Sequence, residues 1–159
     1  MLVAAADDLQ LTPEYTIALW IRVDSPAGGC IIQQTYGSDM DNAWQLCINP
    51  TGNFEFFSVE DRMPDGMIHL EDNSHVGEWQ HLAIVHTSTT KLIYRNGAEL
   101  IRKEGGTASF TVGAPTYIGA DVETGSNVTD PFDGAVDEVR IYARALDMSE
   151  LVELALGNP

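Results

Sequence analysis

The stretch FDGAVDEVRIYARALDMSE, Phe132 to Glu150, changes character twice. Asp133-Gly134 is a turn pair, Val136 to Tyr142 has the β-branched and aromatic composition of a strand, and Asp147-Met148-Ser149-Glu150 opens a helix. The helix start has a chemical basis. An Asp at the N-cap accepts hydrogen bonds from free amides of the first turn, and a Glu three residues later bonds back to the cap's own amide. Leu151, Val152, Leu154, Ala155 and Leu156 follow, with Gly157 placed to stop the helix, so a short terminal helix should pack its leucines on a sheet. Within the strand, Asp137 and Glu138 are adjacent and fall on opposite faces by alternation, so they act as a pair only if a bulge intervenes.

Outward from this segment, period-two alternation recurs between Gly, Pro, Asn and Asp punctuation, the pattern of an all-β sandwich. Tyr15, Ile17, Leu19, Ile21 and Val23 share one face of Tyr15 to Val23, and Thr16, Ala18, Trp20 and Arg22 share the other. Further strands are expected at Met1 to Ala5, Cys30 to Gln34, Ala43 to Ile48, Asn53 to Val59, Met67 to Leu70, Trp79 to Thr87, Lys91 to Arg95, Ala98 to Lys103, Ser109 to Val112 and Tyr117 to Gly119. Asn49-Pro50-Thr51-Gly52 reads as a turn, and Asn96-Gly97 as a two-residue hairpin turn. Trp44 and Trp79 are expected in the core between the sheets, whereas Trp20, in phase with Arg22 and Thr16, points to an outer face.

The 159 residues fit one domain, 1–159, with no linker or internal repeat. Eight Lys and Arg face 24 Asp and Glu, a formal charge of −16. That field repels phosphate backbones and excludes nucleic acid as a natural partner. No apolar run approaches bilayer length, so no membrane insertion is expected. The start MLVAAADDLQ has neither the basic nor the apolar region of a signal peptide, so any signal was removed or was never used. Cys30 and Cys47 are too few for a disulfide framework. They lie on successive strands and could face each other, but buried free thiols are the preferred expectation.

Four segments in order, YTIALWIRVD, GEWQHLAIVHT with LIYRNGAEL, YIGAD and FDGAVDEVRIYARALDMSEL, resemble the concanavalin A-like jelly roll in its laminin G-like and pentraxin-like branch. The resemblance covers nearly the whole chain. It implies a two-sheet antiparallel jelly-roll sandwich with a short C-terminal helix, and a module that recognises a glycan or a surface protein, in many relatives with Ca²⁺. Relatives often carry a segment ahead of the first strand, so any metal ligand it supplies is missing from a chain that begins Met1-Leu2-Val3.

Each candidate site follows from its chemistry. Calcium takes six to eight hard oxygens, and Asp121, Glu123, Asp130 and Asp133 flank one rim loop, which makes them the candidate metal ligands. Asp39, Asp41 and Asn42 form a second oxygen-rich loop, and Glu60, Asp61, Asp65 and Asp72 a third region. Tyr36, Asp39, Asp41 and Phe132 are the candidate ligand-binding residues, the aromatics because sugar faces stack on rings; Phe132 alternatively anchors the last strand. No strand carries the spaced acids of a retaining glucanase, and His69, His75, His81 and His86 form no metal pair, so no catalysis is expected. Arg140 should pair with a carboxylate across the sheet, and Arg144 should hold the helix junction. Asn127-Val128-Thr129 is a glycosylation sequon if the chain passes a eukaryotic secretory route.

Two functional readings result. In the first, rim loops of an extracellular or surface-displayed, non-catalytic module bind a glycan or protein. In the second, the chain is a virion decoration or tail-associated protein of a bacteriophage, touching capsid or tail proteins, because a domain that begins at Met1 without a signal fits an assembly that holds its termini. A homo-oligomer is compatible with both, and a polysaccharide-cleaving enzyme is the least supported reading.

Overall fold

The computed structural model describes residues 1–3, 14–25, 27–35, 42–58, 68–73, 76–104, 115–123 and 127–157. The expected strand Ser109 to Val112 lies outside the described residues. The strands are β1 (Leu2–Val3), β2 (Tyr15–Val23), β3 (Gly29–Thr35), β4 (Asn42–Ile48), β5 (Asn53–Ser58), β6 (Ile68–Asn73), β7 (Trp79–His86), β8 (Thr90–Arg95), β9 (Ala98–Glu104), β10 (Thr116–Ile118), β11 (Asp121–Glu123), β12 (Asn127–Thr129) and β13 (Gly134–Tyr142). One helix follows, α1 (Met148–Leu156). Two antiparallel sheets form, ordered β1-β10-β3-β4-β5-β6 and β13-β2-β7-β8-β9, with β11-β12 as a separate hairpin. This is the expected all-β jelly-roll sandwich with a terminal helix.

Alternation builds the core. Ile17, Leu19 and Ile21 of β2 and Leu82 and Ile84 of β7 meet Ile32, Trp44, Leu46, Phe54 and Phe56 from the opposite sheet, and all are buried in one cluster. Asn96 and Gly97 both take positive φ, 50° and 78°, which matches the right-handed strand twist and closes β8 onto β9 in two residues.

The last segment folds as its chemistry dictates. The Asp147 side chain accepts from the amides of Ser149 and Glu150, at 2.9 and 3.0 Å. Glu150 accepts in return from the Asp147 amide at 3.0 Å, completing the capping box. Arg144 pairs with Glu150 as expected at the junction, at 2.8 Å through one guanidinium nitrogen. Buried Thr16 fixes the junction to the sheet, donating to the Arg144 carbonyl at 3.0 Å and accepting from the Leu146 amide at 2.9 Å. Leu151 then seals against Ala18, Ala83, Val85, Leu92 and Tyr94 on the outward face of β2, β7 and β8.

Four expectations are corrected. Cys30 and Cys47 are joined by a disulfide rather than free, because β3 and β4 pair in a register that places them directly opposite each other. Trp79 lies outside the core: it is cross-strand partner to Arg22, whose guanidinium rests 5.6 Å from its ring centre. Inward positions of β7 fall on Gln80, Leu82 and Ile84, so phase overrides side-chain size. A β-bulge does interrupt β13, since Asp137 opposes Trp20 and Arg140 opposes Ala18, and Glu138 adopts φ 49°. Val136 and Val139 both pack on the core, so Asp137 and Glu138 both face outward on the same side. Arg140 pairs with Glu138 on its own strand, not across the sheet. The β11-β12 hairpin is an element without a counterpart among the expected strands.

Candidate functional site: a cleft on the outward face of the six-stranded sheet

Every second residue of β4 and β5 turns away from the core, as do Cys30 and Gln33 of β3 on either side of a bulge where Ile31 and Ile32 both join the core. Gln33 is register partner of Gln45, Gln45 of Phe57, Cys30 of Cys47 and Cys47 of Glu55, so one outward row carries two amides and a phenyl ring and the next carries the disulfide and a carboxylate. Tyr117 of β10 adds a ring at the other end of the amide row, as partner of Gln33.

Residues 119–123 and 127–133 are held against this sheet by backbone bonds. The Gly119 amide donates to Ile31 at 2.9 Å, the Cys30 amide to Asp130 at 2.8 Å, the Phe132 amide to Gly119 at 2.9 Å and the Asp24 amide to Asp133 at 2.9 Å. Gly29 is required here, because a Cβ on it would sit 2.5 Å from the Pro131 carbonyl oxygen. Gly134 is required for the same reason, since its Cβ would meet the Arg22 carbonyl oxygen at 2.2 Å and the Phe132 ring at 2.6 Å. Val122 of the β11-β12 hairpin is buried, and its carbonyl accepts from Gln33 Nε2 at 3.4 Å.

Between this flap and the sheet lies an open cleft of about 480 Å³. Gln45, Glu55 and the Cys30–Cys47 bridge line it on the sheet side, with Asn49 and Pro50 on one wall and Asp121, Asp130, Pro131 and Asp133 on the other. The Asn49 wall is stiff: its Oδ1 accepts from the amides of Thr51 and Asn53, at 2.9 and 3.1 Å, while its Nδ2 donates to Glu55 at 2.7 Å. A cleft of this volume falls within the ~300–1,000 Å³ typical of ligand sites.

Three of the four candidate metal ligands, Asp121, Asp130 and Asp133, come together on this cleft. Glu123 is two positions beyond Asp121 on β11. Among the described residues no three His, Cys, Asp or Glu side chains converge as a set able to hold a metal ion. Phe132 is half-buried and packs against the core cluster beneath the last strand. Tyr36, Asp39 and Asp41 lie outside the described residues. The cleft residues Gln45, Asn49 and Glu55 are absent from the sequence-based candidates, although a signal is present: in Trp44-Gln45-Leu46-Cys47-Ile48 the inward phase is apolar throughout and the outward phase is not.

The outward face of the five-stranded sheet has different contents. Trp20 meets His81 edge-on at 5.6 Å, and with Glu138, Arg140, Glu153 and Leu154 they line a cavity of about 70 Å³ under α1. Burial, and secondarily the Arg140 charge, push His81 down to about 4. That space is far below the ~300 Å³ expected of a sugar-sized site. The bulged carboxylates are also already engaged, Glu138 by Arg140 and Asp137 by the Glu138 amide at 2.8 Å.

The family model of the Concanavalin A-like lectin/glucanases superfamily, laminin G type, matches residues 2–152, and the chain belongs to that family. No curated protein matches the chain significantly. Among solved structures, the heptameric SAP-like pentraxin of Limulus polyphemus superposes with a TM-score of 0.73 at 17% identity, covering 92% of this chain and 72% of that one. Domain 4 of the extracellular arabinanase AbnA of Geobacillus stearothermophilus, in complex with arabinotriose, gives 0.65 at 22% identity, covering 91% and 68%. The binding domain of botulinum neurotoxin serotype D gives 0.70 at 12% identity, covering 97% of this chain and 39% of that one. At such identities the likeness carries the fold, and function rests on the site.

Proposed function

We propose that this chain is a non-catalytic glycan-binding module, displayed outside the cell, which holds its ligand in the cleft on the six-stranded sheet. The observation that carries this reading is the cleft itself: a volume suited to one or two sugar rings, with amides and carboxylates fixed by the Asn49 turn and the backbone-anchored flap. The Gln45 amide can exchange hydrogen bonds with sugar hydroxyls, and the carboxylates accept from them. Arabinotriose in the complex of the arabinanase domain supports a carbohydrate as the ligand class, and the neurotoxin binding domain supports a recognition role over a catalytic one. A disulfide persists in oxidising surroundings, which supports the extracellular setting. These observations support a glycan or surface protein as the partner over a capsid or tail component.

Isothermal titration with neutral oligosaccharides, arabinotriose among them, tests this. Binding that Gln45→Ala and Glu55→Ala weaken at least tenfold is expected, and binding that ignores both substitutions would place the ligand elsewhere. The same titration with added Ca²⁺ and with chelator separates direct hydroxyl recognition, which the cleft geometry favours, from recognition through a cation.

A further inference from the structure

The two walls of the cleft come from different parts of the chain, and one covalent bond joins them. The flap wall, with Asp121, Asp130, Pro131 and Asp133, is tied to the sheet at Cys30. The Cys30 amide donates to the Asp130 carbonyl at 2.8 Å, and Cys30 pairs with Pro131 in an isolated parallel bridge. The opposite wall, Asn49 and Pro50, follows directly on β4, whose Cys47 is register partner of Glu55. Cys30 and Cys47 are bonded to each other between these attachments, and both line the cleft.

Without that bond the tip of β3 is weakly held. A bulge falls between Cys30 and Ile32, so only Gly29 and Cys30 continue the pairing with β4 past it, opposite Ile48 and Cys47. Gly28 and Gly29 precede the cysteine with φ of 99° and 131°, and glycine backbone gains the most conformational freedom when it is released. A cross-link at this point removes open conformations that a two-residue ladder leaves accessible. Both cysteines are otherwise buried, so the open cleft of about 480 Å³ is the approach by which a small dithiol reaches the bond.

We propose that the Cys30–Cys47 bond is a redox gate: oxidised, it holds the flap against the sheet and the cleft binds its ligand; reduced, it frees the tip of β3 and the flap opens. Its effect on ligand rests on the glycan reading above. Reduction is exchange with a dithiol. One thiolate of the dithiol attacks a bridge sulfur, giving a mixed disulfide and a cysteine thiolate, and its second sulfur then displaces the other cysteine. Two electrons pass to the cysteine pair, the two protons of the dithiol end on Cys30 and Cys47, and the dithiol becomes a disulfide. The reverse exchange, with a disulfide as oxidant, closes the gate. Reducing surroundings inside a cell thus keep the cleft idle, and oxidising surroundings outside it make the cleft competent.

Amide hydrogen exchange on the oxidised protein and on the same protein kept in dithiothreitol, at one pH, tests the proposal. The amides of Cys30, Gly119 and Phe132, which make the flap's bonds, should exchange at least about tenfold faster after reduction, while those of Leu19 and Ile84 in the core keep their protection. Affinity for oligosaccharide should fall at least about tenfold in parallel and return on reoxidation, because the open cleft is no longer preorganised. A Cys30→Ser/Cys47→Ser variant should match the reduced protein and ignore the dithiol. A bond that the dithiol leaves intact in the folded protein, flap exchange unchanged by reduction, or core amides that lose protection together with the flap would each overturn the gate. Failure of both redox forms to bind any oligosaccharide would overturn the glycan reading instead, and the exchange difference would still decide the gate.

Discussion

β2 and β4 belong to opposite sheets, and each sends alternate side chains away from the shared core, yet those side chains meet different surroundings. From β2 they are Thr16, Ala18, Trp20 and Arg22. The first three run beneath α1 or beside its cavity, and the last stacks on Trp79. From β4 they are Gln45 and Cys47, which line an open cleft under a flap held by backbone bonds. One outward face is closed by a helix, on a sheet whose strands carry six of the described Lys and Arg; the other stays open and is lined by carboxylates. A sandwich needs only its inner faces to fold, so its outer faces are free to differ, and in the proposed reading one serves stability and the other recognition.

If that division is right, damage should separate cleanly. Leu151→Ala removes the side chain that seals α1 on the sheet and should cost about 3 kcal/mol, within the range for a buried leucine, while leaving sugar affinity unchanged. Urea unfolding monitored alongside titration checks both. A parallel loss of affinity would show that the faces are coupled. Replacing Cys30 and Cys47 together by Ser should also cost about 3 kcal/mol, by releasing a short loop in the unfolded chain, but should weaken binding as well, because the bridge lines the cleft and Cys30 bonds the flap. A two-dalton mass gain on reduction confirms the bridge, and no gain would remove it.

Acid should act on His81 beneath α1. His81 is buried beneath α1, and its folded pKa of about 4 lies below the ordinary 6.5. Above pH 6.5 neither the folded nor the unfolded state holds the proton, and His81 contributes no pH dependence. As pH falls from there toward 4 the unfolded chain binds a proton that the folded chain refuses, so stability declines across that window by roughly 2–3 kcal/mol. Glu138, Glu153 and Arg140 share the cavity, so the comparison belongs between the parent and His81→Gln, which should lack this component of the decline. An unchanged slope would mean that His81 takes its proton in the folded state.

The sandwich was legible because alternation in Tyr15 to Val23, the Asn96-Gly97 turn and the Asp147 capping box are local signals, each decided within a few residues. Trp79 was misplaced because size argues for burial, whereas the phase of β7 is fixed by pairing with β2, which is not local. The bulge at Glu138 escaped for the same reason: a two-against-one register exists only when both strands are present. The disulfide depends on the register of β3 against β4. The cleft was half legible. Asp121, Asp130 and Asp133 stood out as rim carboxylates, but Gln33, Gln45 and Glu55 read as ordinary strand polar residues until the flap folds over them.

The smallest expected effect probes the most local of these signals. Asp147→Ala removes the acceptor for two first-turn amides, and Glu150 keeps its bond to the cap amide and its pairing with Arg144. Such a cap loss should lower Tm by about 2–4 °C in a domain of this size. The Ser149 hydroxyl and first-turn amides hold the Asp147 carboxyl below its usual range. A carboxylate with a depressed folded pKa stabilises above its unfolded pKa, and that contribution is lost as pH falls through the folded value. The difference between parent and variant should therefore persist at neutral pH and close in strong acid. Since α1 covers only the five-stranded sheet, Asp147→Ala should leave glycan retention untouched, which makes it the control against which a cleft substitution is judged.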